Sequence, residues 1–128
     1  MAIDYSDKHR MRLEVEFNFA AAHRLPRYDG PCFRMHGHNY RFLIALEGEV
    51  DPQSGMVTDF GLVKQAVQER VLSKVDHQTL NDILENPTAE NIARWIFEAL
   101  AAPLPALVEV RLYEIPDSCV VYRGPLAR

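Results

Sequence analysis

The chain has 128 residues, 48% of them hydrophobic and 25% charged, with a net charge of −4 and a pI near 5.7. These values describe one globular domain with its own core, and they exclude the basic field of a general nucleic-acid binder. No apolar run approaches the roughly 20 residues needed to cross a bilayer.

Residues 1–10 read as a loose polar tail and 11–128 as a single domain. From Met11 onward, Leu13, Val15, Phe17, Phe19, Ala21 and His23 share one parity, and Arg12, Glu14, Glu16 and Asn18 the other. This alternation predicts a half-buried strand whose inner face ends on His23. Arg24 to Met35 contains Pro26, Gly30 and Pro31 and reads as a loop. A second strand follows, with His36, His38, Tyr40, Phe42, Ile44 and Leu46 on one side. If the two strands pair antiparallel, three of the five histidines gather at one strand end on the inward face. Residues two apart on a strand lie about 6–7 Å from each other, and Gly37 leaves the other side unobstructed.

Gly48 to Met56 is a turn-rich connection. Thr58 or Asp59 can cap a helix over about Phe60 to Val75, buried along Val63, Ala66, Val67 and Val71. Asp76-His77 stands at its end. Asn86-Pro87-Thr88 announces a second helix with Thr88 as N-cap, an apolar face at Ile92, Trp95, Ile96, Ala99 and Leu100, and a stop at Pro103 and Pro105. Strands near Leu107 to Ile115 and Cys119 to Tyr122 complete a β-β-α-α-β-β order. The expected fold is α+β, a four-stranded antiparallel sheet with two helices on one face.

Three inward imidazoles, each otherwise needing a buried partner, suit a metal site with an open fourth position, as in catalytic zinc centres; the alternative is a polar core cluster. Cys32 is either a small buried hydrophobe, a reactive thiol at the metal's edge or a fourth ligand. Asp76-His77 is either a helix end with a surface histidine or a proton-transfer pair, and the latter requires a turn that lets neighbours face each other. Glu114 shares parity with Val108, Val110 and Leu112, while Glu109, Arg111 and Tyr113 face the other way. Its carboxylate either returns to solvent through a register break near Pro116 or accepts paired N–H donors from a planar heterocycle. Thr88 reads as a cap whose neighbouring N–H groups could also meet a ligand.

Phe19-Ala20-Ala21-Ala22-His23, Cys32-x3-His36-Gly37-His38-Asn39-Tyr40, Asp59-Phe60, Asp76-His77, Pro87-Thr88-Ala89-Glu90-Asn91 and Glu114-x-Pro116 occur in one order along the chain. In that order they resemble the 6-pyruvoyltetrahydropterin synthase family. The short gap between Cys32 and His36 is similar to its 6-carboxy-5,6,7,8-tetrahydropterin synthase branch, zinc-dependent lyases of queuosine biosynthesis. That branch converts 7,8-dihydroneopterin triphosphate to 6-carboxytetrahydropterin, acetaldehyde and triphosphate. The resemblance implies a tunnelling fold (T-fold) and a homohexamer. It implies His23, His36 and His38 as zinc ligands, Cys32 as general base and Asp76 with His77 as proton relay. It also implies Glu114 as pterin anchor, aided by Thr88 and Glu90. Pro31 and Asp117 depart from the residues common in the family. The alternatives are a 6-pyruvoyltetrahydropterin synthase, which eliminates triphosphate without carbon–carbon cleavage, and a non-catalytic zinc-stabilised binding module. The polar N-terminus, which lacks the apolar segment of a secretion signal, and just two cysteines make the cytoplasm the expected compartment.

Overall fold

Two long strands make the frame. In this computed structural model, which describes residues 7–126, β1 (Arg10–His23) and β2 (His36–Glu49) pair antiparallel along their whole length, from Arg10 opposite Glu49 to His23 opposite His36. Residues 1–6 of the expected tail lie outside the described residues, and Arg10 already belongs to β1. The alternation in sequence is the alternation in space. Phe19, Ala21, His23, Tyr40, Phe42 and Ile44 are buried, while Glu14, Glu16 and Asn18 are exposed.

Of the two caps foreseen for the first helix, Thr58 and Asp59, it is Asp59 that serves, its carboxylate accepting the Gly61 N–H at 2.8 Å. Helix α1 (Phe60–Val67) runs through a π-helical segment at Gln68–Leu72 into a last turn, α2 (Ser73–Val75). The arm presents Val63, Val67, Val71 and Val75 to the sheet, all essentially inaccessible to water. Thr88 caps α3 (Ala89–Ala101), its hydroxyl accepting the Asn91 N–H at 3.1 Å, and Ile92, Ala93, Ile96 and Leu100 are buried. Strands β4 (Leu107–Ile115) and β5 (Ser118–Tyr122) extend the sheet beyond β2.

One expectation needs correction. The sheet has five strands in the order β3-β1-β2-β4-β5 and is mixed, because β3 (Gln78–Thr79) pairs parallel with Ala21 and Ala22. Two polar residues carry no periodicity, so such a strand has no signature in the sequence. Glu109 adds a feature that parity does not show. It faces away from the helices as its parity predicts, yet only 1% of it is accessible, covered by Arg12 at 2.7 Å, Arg123 at 3.1 Å and Arg111 at 3.4 Å. Burial alone would raise its pKa, but the three guanidinium groups together outweigh that and hold the carboxyl below the usual range.

Candidate metal centre

The ladder sets the site. His23 closes β1 directly opposite His36, which opens β2, and His38 points the same way two residues on. Their rings stand edge to face, with centroids 4.6, 5.2 and 4.9 Å apart. One ring nitrogen from each lies within 4.8 Å of the others, a group able to hold a metal ion.

Hydrogen bonds on the far side of two rings decide which nitrogen is available. His23 Nδ1–H donates to the Pro87 carbonyl at 2.8 Å, and His36 Nδ1–H donates to the Arg34 carbonyl at 2.7 Å. A carbonyl only accepts, so in the neutral rings both Nε2 atoms carry lone pairs. These two Nε2 atoms are 3.0 Å apart. Lone pairs facing each other at that distance repel unless a cation or a proton lies between them. Zinc–imidazole bonds of about 2.0–2.1 Å at tetrahedral angles place nitrogens about 3.3 Å apart, so the His23 and His36 pair fits such an ion with little movement, and the His38 nitrogen lies within 4.8 Å of both. His23 is fully buried, and burial pushes its pKa down, against opposing pulls from Pro87 and Glu114. The neutral, ligating form is therefore favoured.

Glu114 stands at the rim. Its Oε1 is 3.4 Å from His23 Nε2 and 3.8 Å from His38 Nε2, and its side chain is 30% exposed. The register break considered for this region does occur, between Tyr113 and Ile115, but the bulge leaves the carboxylate beside the histidines. Glu114 also walls a groove of about 120 Å³ between the β4–β5 turn and the start of α3, with Ala89, Ser118 and Cys119. Thr88 sits at that helix start, after Pro87, while Glu90 is exposed in its first turn.

Asp76 and His77 do face one another. His77 adopts a left-handed φ of 58°, and its Nδ1 lies 3.0 Å from Asp76 Oδ1. The pair is stitched to β1, with the Ala20 N–H donating to Asp76 at 3.0 Å and the His77 N–H donating to the Ala20 carbonyl at 2.6 Å. The Ala20 N–H, joined by His77, holds the Asp76 carboxyl below its ordinary pKa. His77 and His38 share an open groove of about 460 Å³ with Gly37. A Cβ on Gly37 would meet only the Ala21 carbonyl, at 3.6 Å.

Cys32 lies in a 3₁₀ turn, Pro31–Phe33, half-buried, its carbonyl accepting the Leu25 N–H at 2.8 Å. It is outside the ligand group, and Asp76 and His77 pair with each other rather than with it. Cys119 is exposed and likewise unbonded. Residue-type reasoning missed Tyr40 as a neighbour of the centre. Its hydroxyl is 3.3 Å from His23 Nδ1, and burial, then Glu114, raises its pKa far enough to keep the phenol protonated. Its parity with His36 and His38 was the available signal. The Pro87 and Arg34 carbonyls had none.

A sheet ending in three converging imidazoles, with a carboxylate on the rim, defines an α+β domain with a group able to hold a metal ion. Residues 12–125 match the family model described as 6-pyruvoyl tetrahydropterin synthase. The chain is 39% identical over 117 residues to a 6-carboxy-5,6,7,8-tetrahydropterin synthase of Synechocystis, covering 86% of this chain and 91% of the relative. It is 33% identical over 128 residues to a 6-pyruvoyl tetrahydrobiopterin synthase of Pongo abelii, covering 84% and 87%. The solved 6-pyruvoyl tetrahydropterin synthase of Caenorhabditis elegans superposes with a TM-score of 0.84 at 34% identity, covering 91% of this chain and 97% of that one. The chain belongs to the 6-pyruvoyl tetrahydropterin synthase family.

Proposed function

We propose that the protein is a zinc-dependent 6-carboxy-5,6,7,8-tetrahydropterin synthase. In this reading it is a lyase that converts 7,8-dihydroneopterin triphosphate and one water to 6-carboxytetrahydropterin, acetaldehyde and triphosphate, on the route to queuosine and other 7-deazaguanines. The observation that carries the reading is the trio His23, His36 and His38, with two rings fixed by backbone carbonyls so that their Nε2 atoms turn to a common point. The choice of reaction within the family leans on the Synechocystis relative.

Zinc, when bound, supplies a Lewis acid that acidifies hydroxyl and adjacent C–H groups of the substrate side chain. The chain's own residues do the rest. Glu114 accepts paired N–H groups of the pterin ring and so fixes the side chain beside the histidines, with Thr88 and Glu90 at the flank. Cys32, as thiolate, removes a proton, and Asp76 orients His77 to pass protons on. In the full reading the protein is a cytoplasmic homohexamer of T-fold chains whose sites form between subunits. Asp76 and His77 bond to each other and to Ala20, with no hydrogen bond to Cys32 among the described residues, and in this arrangement a neighbouring chain can supply the partner.

The similarity to the Pongo abelii and Caenorhabditis elegans proteins favours a second reading, a 6-pyruvoyl synthase that eliminates triphosphate and keeps the carbon chain intact. Incubation with 7,8-dihydroneopterin triphosphate, followed by product mass analysis and an acetaldehyde assay, separates the two. One acetaldehyde per triphosphate is expected. Triphosphate without acetaldehyde would replace the first reading with the second. Turnover by Cys32→Ala at the wild-type rate would remove the base assignment. A chelator should abolish turnover while the fold persists; unfolding instead would indicate a structural zinc.

A further inference from the structure

The segment after the helical arm runs beside the end of β1 rung by rung. The Ala20 N–H donates to Asp76 Oδ1 at 3.0 Å, and the His77 N–H donates to the Ala20 carbonyl at 2.6 Å. Gln78 and Thr79, the two residues of β3, then pair with Ala21 and Ala22. Beyond Thr79 the backbone turns into a 3₁₀ helix, Leu80–Asp82, and this ladder of peptide groups ends just before His23.

A side chain carries the ladder on. Asn81 stands against Arg24 in the register that sets Gln78 against Ala21. Its Oδ1 accepts the Arg24 N–H at 2.9 Å, and its Nδ2 donates to the Arg24 carbonyl at 2.9 Å. A carboxamide holds the same donor and acceptor as a peptide group, so it closes the rung without strand backbone. Among the described residues no other group bonds to the main-chain N–H or carbonyl of Arg24.

The Arg24 N–H belongs to the planar peptide that leaves His23, so holding it holds the ψ angle of His23. Across the sheet His23 is fixed against His36. The His23 ring is fully buried and its Nδ1–H is committed to Pro87, so a tilt of that peptide passes to Nε2 rather than into free rotation. The next N–H, of Leu25, donates to the Cys32 carbonyl at 2.8 Å, so the same clamp sets where the loop bearing Cys32 departs.

We infer that Asn81 is a positioning residue of the metal centre, its carboxamide fixing the main chain at Arg24 and through it the direction in which His23 Nε2 points. Both of its hydrogen bonds go to Arg24, so its effect reaches the ion through the backbone alone. The inference rests on the reading of His23, His36 and His38 as metal ligands, and it is independent of which reaction the centre serves.

The test titrates Zn²⁺ into the metal-free, full-length protein against a chromophoric chelator, and records the absorption spectrum of the Co²⁺ form. N81A should bind Zn²⁺ about tenfold more weakly than wild type, the lower end of what outer groups around ligating histidines produce. N81D keeps the size and the acceptor for the Arg24 N–H but turns a carboxylate oxygen on the Arg24 carbonyl. It should also bind more weakly, although its added negative charge would by itself attract the cation, and it carries the test if N81A does not fold. Both variants should shift the Co²⁺ bands. In the metal-free protein the Arg24 amide should exchange faster in N81A than in wild type. E109Q, expected to be destabilised from the sheet face away from the helices, should bind Zn²⁺ like wild type. Unchanged affinity and Co²⁺ spectra in both Asn81 variants would overturn the inference, as would equal weakening in E109Q or no metal uptake by wild type. Weaker metal binding in the Asn81 variants, in a protein that does not turn over dihydroneopterin triphosphate, would overturn the proposed reaction and leave this role standing. Normal turnover with metal affinity indifferent to Asn81 would do the reverse.

Discussion

If they hold the proposed ion, the three histidines should be equal for metal and unequal for stability. His23→Ala removes a side chain with no accessible surface, whereas His38 retains 20% of its side-chain surface and His36 is also only partly buried. Loss of the His23 ring leaves the Pro87 carbonyl buried without its donor, at about 1–2 kcal/mol. The vacated space among Ala21, Tyr40 and the start of α3 adds about 2 kcal/mol. Together these amount to about 3–4 kcal/mol for the metal-free protein, a fall in Tm of roughly 12–16 °C for a domain of this size. His36→Ala and His38→Ala, whose sites water can enter, should cost about 1 kcal/mol or less. Urea denaturation in the presence of chelator measures the stabilities, and elemental analysis of protein purified without chelator measures the metal. All three variants should lose the ion. An H23A protein that keeps one ion per chain would refute the centre. Equal destabilisation of metal-free H23A and H36A would refute the reasoning from burial.

Glu109→Gln should destabilise the protein by about 1–3 kcal/mol at pH 7, because the covering arginines then lack their counter-charge. The folded carboxyl titrates below the unfolded value, so this stabilisation is complete above the unfolded pKa of about 4.3 and is lost as pH falls through the folded value. Urea midpoints of wild type and E109Q should accordingly converge in acid, and a gap that widens there would contradict the cluster. Thr88→Ala should cost about 1 kcal/mol through loss of the Asn91 cap, with Thr88→Ser close to neutral by thermal denaturation. Glu114→Gln should lower kcat/KM about 100-fold with metal content unchanged, if the carboxylate anchors the pterin rather than the ion. Loss of metal in E114Q would reassign it as a ligand.

What the sequence made legible follows from periodicity. The inward parity of His23, His36, His38 and Glu114 needs only strand alternation, and the caps at Asp59 and Thr88 need only a hydroxyl or carboxylate before an amphipathic run. Contacts that join distant segments without a pattern were out of reach. β3 is two polar residues placed by the left-handed turn at His77. Glu109 was read as facing away from the core, which it does, but its burial depends on arginines from β1, β4 and the segment after β5. Such a side chain looks solvated in any single-strand reading. The Asn81 clamp on Arg24 joins residues 57 positions apart and likewise leaves no local trace.

The groups that orient His23 and His36 are the carbonyls of Pro87 and Arg34, and these are main-chain atoms. No substitution can delete them, since every amino acid brings the same C=O. The aim of these two rings is thus written in the path of the chain rather than in its alphabet, so substitution at Pro87 or Arg34 can redirect them only by displacing a loop.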